Sequence, residues 1–162
     1  MRRPMKRFLA VTMAAILAIG LCTTSAMAES RVTRAEIHCS SFSNVIMPHI
    51  GQQYFQHVPS TAWDSYNFGC VLARGDRNVG VLALQESLNK CFARAIDQDA
   101  IFGTETENAV RYAQGEINRL YGRPVVAVDG RFGPQTSFYF IYSLYDHWNA
   151  GFQTDMCKYR GA

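Results

Sequence analysis

A short segment that occurs twice constrains the fold of this chain more than any other feature of its sequence. Residues 99–106 read D-A-I-F-G-x-x-T, and residues 129–136 read D-G-R-F-G-x-x-T. Each copy directly precedes an amphipathic stretch, and its aspartate and threonine can bond backbone groups of a turn and of a first helical turn. We therefore predict two equivalent loop-to-helix corners, corner 1 (residues 99–106) and corner 2 (residues 129–136), each inserting a phenylalanine into the core.

Three helices are predicted around these corners, because apolar residues recur at helical spacing in three stretches. The second helix has a stop signal at Gly122 and Pro124, and the third begins at Pro134. The three apolar stripes are Val81, Leu84, Leu88, Cys91 and Phe92; Ala109, Val110, Ala113, Ile117, Leu120 and Tyr121; and Phe138, Ile141, Leu144, Tyr145 and Trp148. The sequence thus predicts an all-α fold, a small three-helix bundle.

The segments flanking the bundle lack a regular pattern. Residues 29–69 are rich in Ser, His and aromatic residues and show no sustained helical or strand period. We expect an irregular N-terminal arm over residues 29–69, the helical domain over residues 70–150, and a C-terminal tail over residues 151–162.

The first 28 residues have the composition of a secretory signal peptide. Four basic residues among the first seven precede an apolar run at residues 8–21, and Ala26-Met27-Ala28 is a small-residue cleavage site. The run is shorter than the roughly 20 residues that a transmembrane helix needs. We expect cleavage after Ala28, which would release residues 29–162.

Cleavage would change the charge balance of the protein. The whole chain has 16 Lys and Arg against 13 Asp and Glu, a net charge of +3, whereas residues 29–162 retain 12 basic against 13 acidic residues. A near-neutral body disfavours nucleic-acid binding by counterion release and attachment to a membrane surface.

Four of the five cysteines would remain after cleavage: Cys39, Cys70, Cys91 and Cys157. An even number in an exported chain indicates two disulfides, with three possible connectivities. Two alternatives have weaker support. Cys22 could be a lipid acceptor, but Leu21 is larger than the usual preceding residue, and zinc binding would need cysteines closer together in the sequence than these are.

Read together with the corners, the helical segments resemble the peptidoglycan-binding domain that is appended to bacterial cell-wall hydrolases. The resemblance covers about residues 70–148. Its elements are Leu72-x-x-Gly75, Val81-x-x-Leu84-Gln85-x-x-Leu88, corner 1, Ala109-Val110-x-Tyr112-x-Gln114 and corner 2 with Pro134. This resemblance implies a three-helix fold and noncovalent retention in the cell wall.

The chain departs from that family pattern at three places. Ala100 replaces the usual corner glycine, so a left-handed turn there would cost about 1 kcal/mol. Tyr112 replaces a phenylalanine, and the segment at residues 115–128 is longer than is typical.

Chain geometry favours one disulfide pairing. An extended path from Cys70 to residue 77 covers about 23 Å and a helix to Cys91 returns about 20 Å. We therefore expect Cys70–Cys91, which leaves Cys39–Cys157 to attach the arm to the tail.

No residue pattern of an enzyme is present. The four histidines, at positions 38, 49, 57 and 147, form no metal-ligand or catalytic motif, and G-x-S-x-G does not occur. Glu105 and Glu107 are two apart on a helix, so their side chains would point in different directions, and acids in a first helical turn are explained by the helix dipole. We expect no catalysis, no metal and no cofactor.

Ligand contacts are expected at polar groups and aromatic rings. The candidates are Asp99, Tyr112, Asp129, Arg131, Tyr139 and Tyr142. Each aspartate has an alternative role in bonding its own turn. The two later tyrosines are either covered by the arm, through Trp63, Tyr66 or Phe68, or open for stacking against a sugar or a protein.

These observations predict a secreted, monomeric, non-catalytic protein of the cell wall that binds the glycan or the stem peptide of peptidoglycan. The alternative is a secreted interaction protein that uses the same fold to inhibit or regulate a cell-wall hydrolase. A third possibility, an enzyme acting on peptidoglycan, has no residues to support it.

Overall fold

A four-stranded antiparallel sheet and three helices form the part of the chain that the computed structural model describes, residues 35–50 and 53–160. The predicted signal peptide, residues 1–28, lies outside these residues. In chain order the elements are β1 (Ser41–Ile46), β2 (Tyr54–Ser60), α1 (Val79–Phe92), α2 (Thr104–Tyr121), α3 (Pro134–Tyr139), β3 (Ile141–Asp146) and β4 (Phe152–Tyr159). The strands lie in the order β1-β2-β3-β4, so the predicted all-α bundle is wrong.

The first two helices form where their apolar stripes predicted them. The Asn78 side chain caps α1 by accepting hydrogen bonds from the N–H groups of Gly80 and Val81, at 2.9 and 3.2 Å. Gly122 ends α2 in a left-handed conformation, with φ of 63°. In the described part of the chain, no helix is both long enough and apolar enough to cross a membrane.

The third predicted helix is the largest error, because it stops after six residues. Helix α3 ends at Tyr139, and the chain continues as strand β3. Residues 138–145 contain aromatic and branched side chains, which suit a strand as well as a helix. Pairing of Phe55 with Tyr145 and of Gln56 with Leu144 places this segment in the middle of the sheet.

The expected arm and tail are also more regular than predicted. Strands β1 and β2 pair over six residues, from Ser41 opposite Ser60 to Ile46 opposite Phe55. Strand β4, in the predicted tail, pairs with β3. The segments on both sides of the helices therefore belong to one sheet.

The core lies between the sheet and the helices. Both corner phenylalanines are buried there, as the repeat predicted: Phe102 and Phe132 are each 1% exposed. Leu84 and Leu88 of α1, Ile117 of α2, and Val58 and Tyr142 of the sheet belong to the same cluster.

Two disulfides are present, but the predicted pairing is wrong. The bonds join Cys39 to Cys70 and Cys91 to Cys157. The N–H of Cys39 donates to the Val71 carbonyl at 2.9 Å, which aligns Cys39 with Cys70. Cys157 lies on β4 opposite Ser143, whose side chain reaches Ser87 of α1. Strand β4, absent from the predicted fold, thus carries Cys157 to α1, whereas an isolated bridge between His38 and Val71 aligns the other pair.

Candidate functional site

Corner 1 is held by one buried glutamine of α1. The Gln85 Nε2 group lies within hydrogen-bonding distance of three acceptors: Asp99 Oδ1 at 2.9 Å, the Ile101 carbonyl at 3.1 Å and Thr106 Oγ1 at 3.1 Å. Its Oε1 accepts from the Ala100 N–H at 3.0 Å. One side chain therefore joins the loop of corner 1 to the start of α2.

Corner 2 repeats this arrangement with a glutamine of α2. The Gln114 Nε2 group lies 2.9 Å from Asp129 Oδ1, 2.9 Å from the Arg131 carbonyl and 3.2 Å from Thr136 Oγ1. Its Oε1 accepts from the Gly130 N–H at 2.9 Å. The sequence repeat is therefore also a structural repeat, in which each of the four glutamine contacts of corner 1 has an equivalent in corner 2.

A second pair of equivalent contacts lies one helical turn after each glutamine. Asn89 of α1 donates to the Ile96 carbonyl at 2.8 Å and accepts from its N–H at 3.0 Å. Asn118 of α2 does the same with Val126, at 2.9 and 3.0 Å. The shared Q-x-x-x-N spacing is a sequence signal for this longer repeat that the corner motif alone missed.

Both corners have a left-handed residue directly after the aspartate. Gly130 has φ of 79°, and Ala100 has φ of 61°. The alanine substitution noted in the sequence therefore does not remove the left-handed turn, although an L residue with a Cβ is strained in this conformation.

This difference predicts opposite stability changes in two matched variants. Ala100→Gly is expected to raise the free energy of unfolding by about 1 kcal/mol, because it relieves the left-handed strain. Gly130→Ala is expected to lower it by about 2 kcal/mol, since it introduces the same strain and crowding. The new Cβ would lie 2.9 Å from the Glu107 Cγ atom. Urea unfolding measures both, and stabilisation by both substitutions would contradict the equivalence of the corners.

The two corner aspartates are exposed and use one carboxylate oxygen each within the protein. Besides the glutamine bond, Oδ1 of Asp99 accepts from the Ile101 N–H and Oδ1 of Asp129 from the Arg131 N–H, both at 2.9 Å. The bond from Gln85, followed by that from Ile101, lowers the pKa of Asp99 below its ordinary value. No hydrogen bond from another described residue reaches either Oδ2 atom.

A shallow groove lies beside each corner. The corner-1 groove has a volume of about 250 Å³ and the corner-2 groove about 190 Å³. The corner-1 groove is lined by Gln85, Asp97, Asp99, Ile101, Gly103, Thr104, Glu105 and Thr106. The corner-2 groove is lined by Glu36, Val71, Ala127, Asp129, Arg131, Gly133, Pro134, Gln135 and Thr136. Seven lining positions correspond in the repeat, so the grooves are equivalent surfaces with different charges.

Charge distinguishes the two grooves. Asp97, Asp99 and Glu105 place three carboxylates around the corner-1 groove. At the corner-2 groove, the Arg131 guanidinium forms an ion pair with the Glu36 carboxylate, and both side chains are about half exposed. The corner-2 groove therefore offers a cationic donor beside its carboxylates.

Two of the predicted tyrosines lie away from the corners. Tyr112 is 44% exposed, and the Arg94 guanidinium lies 4.3 Å from its ring centroid. Tyr139 is half-buried, with its ring centroid 5.0 Å from that of Tyr121. Neither lines a corner groove.

Tyr142 is placed in the core. Its side chain is fully buried and its hydroxyl bonds to Ser137, and burial raises the pKa of this hydroxyl. A strand in place of the predicted helix turned this residue inward, so an open stacking role for Tyr142 is not compatible with this position. Of the six candidates, the structure thus places Asp99 at one corner and Asp129 with Arg131 at the other.

The histidines make local contacts. His38 Nδ1 lies 2.8 Å from Asp76, and the His57 ring stacks on Tyr145 with centroids 3.9 Å apart. Among residues 35–50 and 53–160, no three His, Cys, Asp or Glu side chains are grouped so as to hold a metal ion.

Comparison with known proteins gives no match: no protein-family model fits the sequence, and neither the curated proteins nor the solved structures contain a significant similarity.

Proposed function

We propose that this chain is a secreted, non-catalytic protein of the cell wall that binds peptidoglycan through its two corner grooves. The observation that carries the proposal is the duplicated corner. At each corner a buried glutamine bonds an aspartate that lines a groove. The proposal keeps the function that the sequence resemblance implies and assigns it to the grooves rather than to the tyrosines.

The chemistry of the grooves suits a muropeptide. Its amide and hydroxyl groups can donate to the Oδ2 atoms of Asp99 and Asp129, two exposed residues whose Oδ2 atoms accept no bond from another described residue. Its stem-peptide carboxylates can accept from the Arg131 guanidinium, which is suited to paired hydrogen bonds with a carboxylate. Because hydrogen bonds already fix the corners, little conformational entropy is lost when a ligand binds.

Co-sedimentation with purified insoluble peptidoglycan tests this proposal. The secreted, disulfide-bonded protein is expected to pellet with the wall material and to remain soluble without it. Binding should persist at moderate salt, because the amide and hydroxyl groups of the ligand carry no net charge and their bonds to the carboxylates are screened less than an ion pair. Failure to pellet over a range of salt and pH would contradict wall binding and favour the alternative, a regulator of a wall hydrolase. Release of soluble fragments from the wall material would contradict the non-catalytic assignment.

A further inference from the structure

The loop at residues 61–67 forms a second surface, separate from the corners. It folds back over the outer edge of β1, where the Asp64 N–H donates to the Phe42 carbonyl at 3.2 Å and the Tyr66 N–H donates to Ser43 Oγ at 3.0 Å. Asp64 and Tyr66 are both left-handed, with φ of 45° and 53°. Two such non-glycine residues in one loop are strained, and strain of this kind clusters at binding sites.

This loop and the adjacent end of the sheet enclose an open groove of about 370 Å³, the sheet-end groove. The volume is near the lower limit of small-molecule sites, about 300–1,000 Å³. Its lining combines polar and apolar side chains: Asn44, Ile46, Phe55, Asp64, Tyr66 and His147. None of these residues lines a corner groove.

The polar groups of the sheet-end groove are held in place by the protein. Asp64 Oδ1 accepts from the Asn44 N–H at 2.7 Å and from Asn44 Nδ2 at 3.1 Å, whereas Oδ2 lies 3.4 Å from the same Nδ2. Oδ2 is therefore weakly engaged and can accept a further hydrogen bond. The Tyr66 hydroxyl donates to the Asn44 carbonyl at 2.8 Å, which fixes a ring that is 55% exposed.

Two more exposed rings are next in sequence to residues that line this groove. Trp63, next to Asp64, is 60% exposed and packs edge-on against Phe42 with centroids 4.8 Å apart. Trp148, next to His147, is 79% exposed. Rings left in water add nothing to the stability of a fold, so Tyr66 and Trp63, held in place beside a carboxylate, indicate a ligand that stacks and also donates hydrogen bonds.

We propose that the sheet-end groove binds one or two pyranose rings of an oligosaccharide. The C–H face of a sugar is attracted to the negative face of the Tyr66 ring, and its hydroxyls can donate to Asp64 Oδ2. A shallow groove with fixed rings and one carboxylate fits this class better than a purely apolar ligand. The choice of an N-acetylated amino sugar as the preferred member rests on the proposed wall function, whereas sugar binding itself does not.

Intrinsic fluorescence gives a direct test, because Trp63 and Trp148 are the only tryptophans of the chain and each is next in sequence to a residue that lines this groove, Asp64 and His147. The probe is a soluble oligomer of β-1,4-linked N-acetylglucosamine, titrated into the disulfide-bonded protein. A saturable change in emission is expected. Tyr66→Ala should weaken binding by about tenfold or more, as expected for loss of one stacked ring and the contacts it orients.

Three further variants keep the test independent of folding. Tyr66→Phe retains the ring and should bind within about threefold of the wild type, whereas Asp64→Asn should weaken binding without removing a ring. Phe138→Ala removes an equally exposed ring from α3 and should leave binding unchanged. Circular dichroism melts verify that each variant is folded.

The proposal would be overturned if the wild type showed no saturable change up to millimolar probe, or if the wild type and Tyr66→Ala bound the probe equally well. Loss of binding in Asp129→Asn but not in Tyr66→Ala would place the sugar at corner 2 and would also overturn it. Pelleting with peptidoglycan reports on the corners separately, so either proposal can fail while the other holds.

Discussion

Replacing Gln114 with alanine is expected to lower the free energy of unfolding by about 3 kcal/mol, and Gln85→Ala should cost a similar amount. Each glutamine is 1% exposed. Its removal leaves backbone N–H groups of the corner without their acceptor: the buried N–H of Gly130 in corner 2 and the partly buried N–H of Ala100 in corner 1. The expected loss in the free energy of unfolding is the sum of the lost hydrogen bonds, the unpaired polar groups and the lost side-chain packing.

Urea unfolding at neutral pH measures this effect, and Gln98→Ala is the matched control. Gln98 is exposed, so its replacement should change the free energy of unfolding by less than about 0.5 kcal/mol. Losses below about 1 kcal/mol in both corner variants would contradict the view that the two glutamines hold the corners.

Removal of either disulfide is expected to have the largest effect. The double variants Cys39→Ala/Cys70→Ala and Cys91→Ala/Cys157→Ala should each lower the free energy of unfolding by about 4 kcal/mol, since the cross-links restrict the unfolded chain. The bonds span 31 and 66 residues. Loop length enters only logarithmically, so the two losses should agree to within about 1 kcal/mol.

Denaturant unfolding of both double variants and of the reduced wild type tests this expectation. Backbone amide exchange should rise first in β4 when Cys91–Cys157 is removed, because this bond attaches β4 to α1. Proteolysis of the unreduced protein that yields Cys70 joined to Cys91 would contradict the structure and restore the pairing expected from chain geometry.

Helices α1 and α2 and the two corners could be predicted because their signals are local. Asn78 and Gly122 mark helix ends through bonds to neighbouring residues, and most of each apolar stripe of α1 and α2 is buried. Leu120 and Tyr121, which the α2 stripe also placed on the buried face, are exposed instead. The repeat alone predicted that Phe102 and Phe132 are buried, and both side chains are 1% exposed.

The sheet could not be predicted because buried polar residues hide its period. Ser43, Gln56 and Ser60 are 0% exposed and read as surface residues in the sequence. They are tolerated because each donates a hydrogen bond within the protein: Ser43 Oγ to Ser60 Oγ at 3.0 Å, Ser60 Oγ to the Ala62 carbonyl at 2.8 Å, and Gln56 Nε2 to the Lys158 carbonyl at 2.8 Å. Strand β3 has a similar ambiguity, since it is its pairing with β4 and with β2, some ninety residues away, that excludes a helix.

These long-range pairings explain the errors in the candidate site. Tyr142 turned inward with β3, and Cys157 lies on β4, which brings it to Cys91 of α1 rather than to Cys39. The sheet-end groove was missed for the same reason: Asn44, Asp64 and His147 meet only after three strands have assembled. Asp99 and Asp129 were found because their surroundings lie within about thirty residues of sequence.

The central claim is that the corner carboxylates contact the cell wall, and pelleting by charge-removing variants tests it most directly. Asn in place of Asp99 or Asp129 keeps an Oδ1 acceptor for the turn but replaces Oδ2 with a donor. Each variant should bind peptidoglycan about tenfold more weakly than the wild type, and the double variant more weakly still. Asp155→Asn removes the same charge from β4, where the carboxylate is 99% exposed, and should bind normally. Unchanged pelleting by the folded double variant would contradict the account.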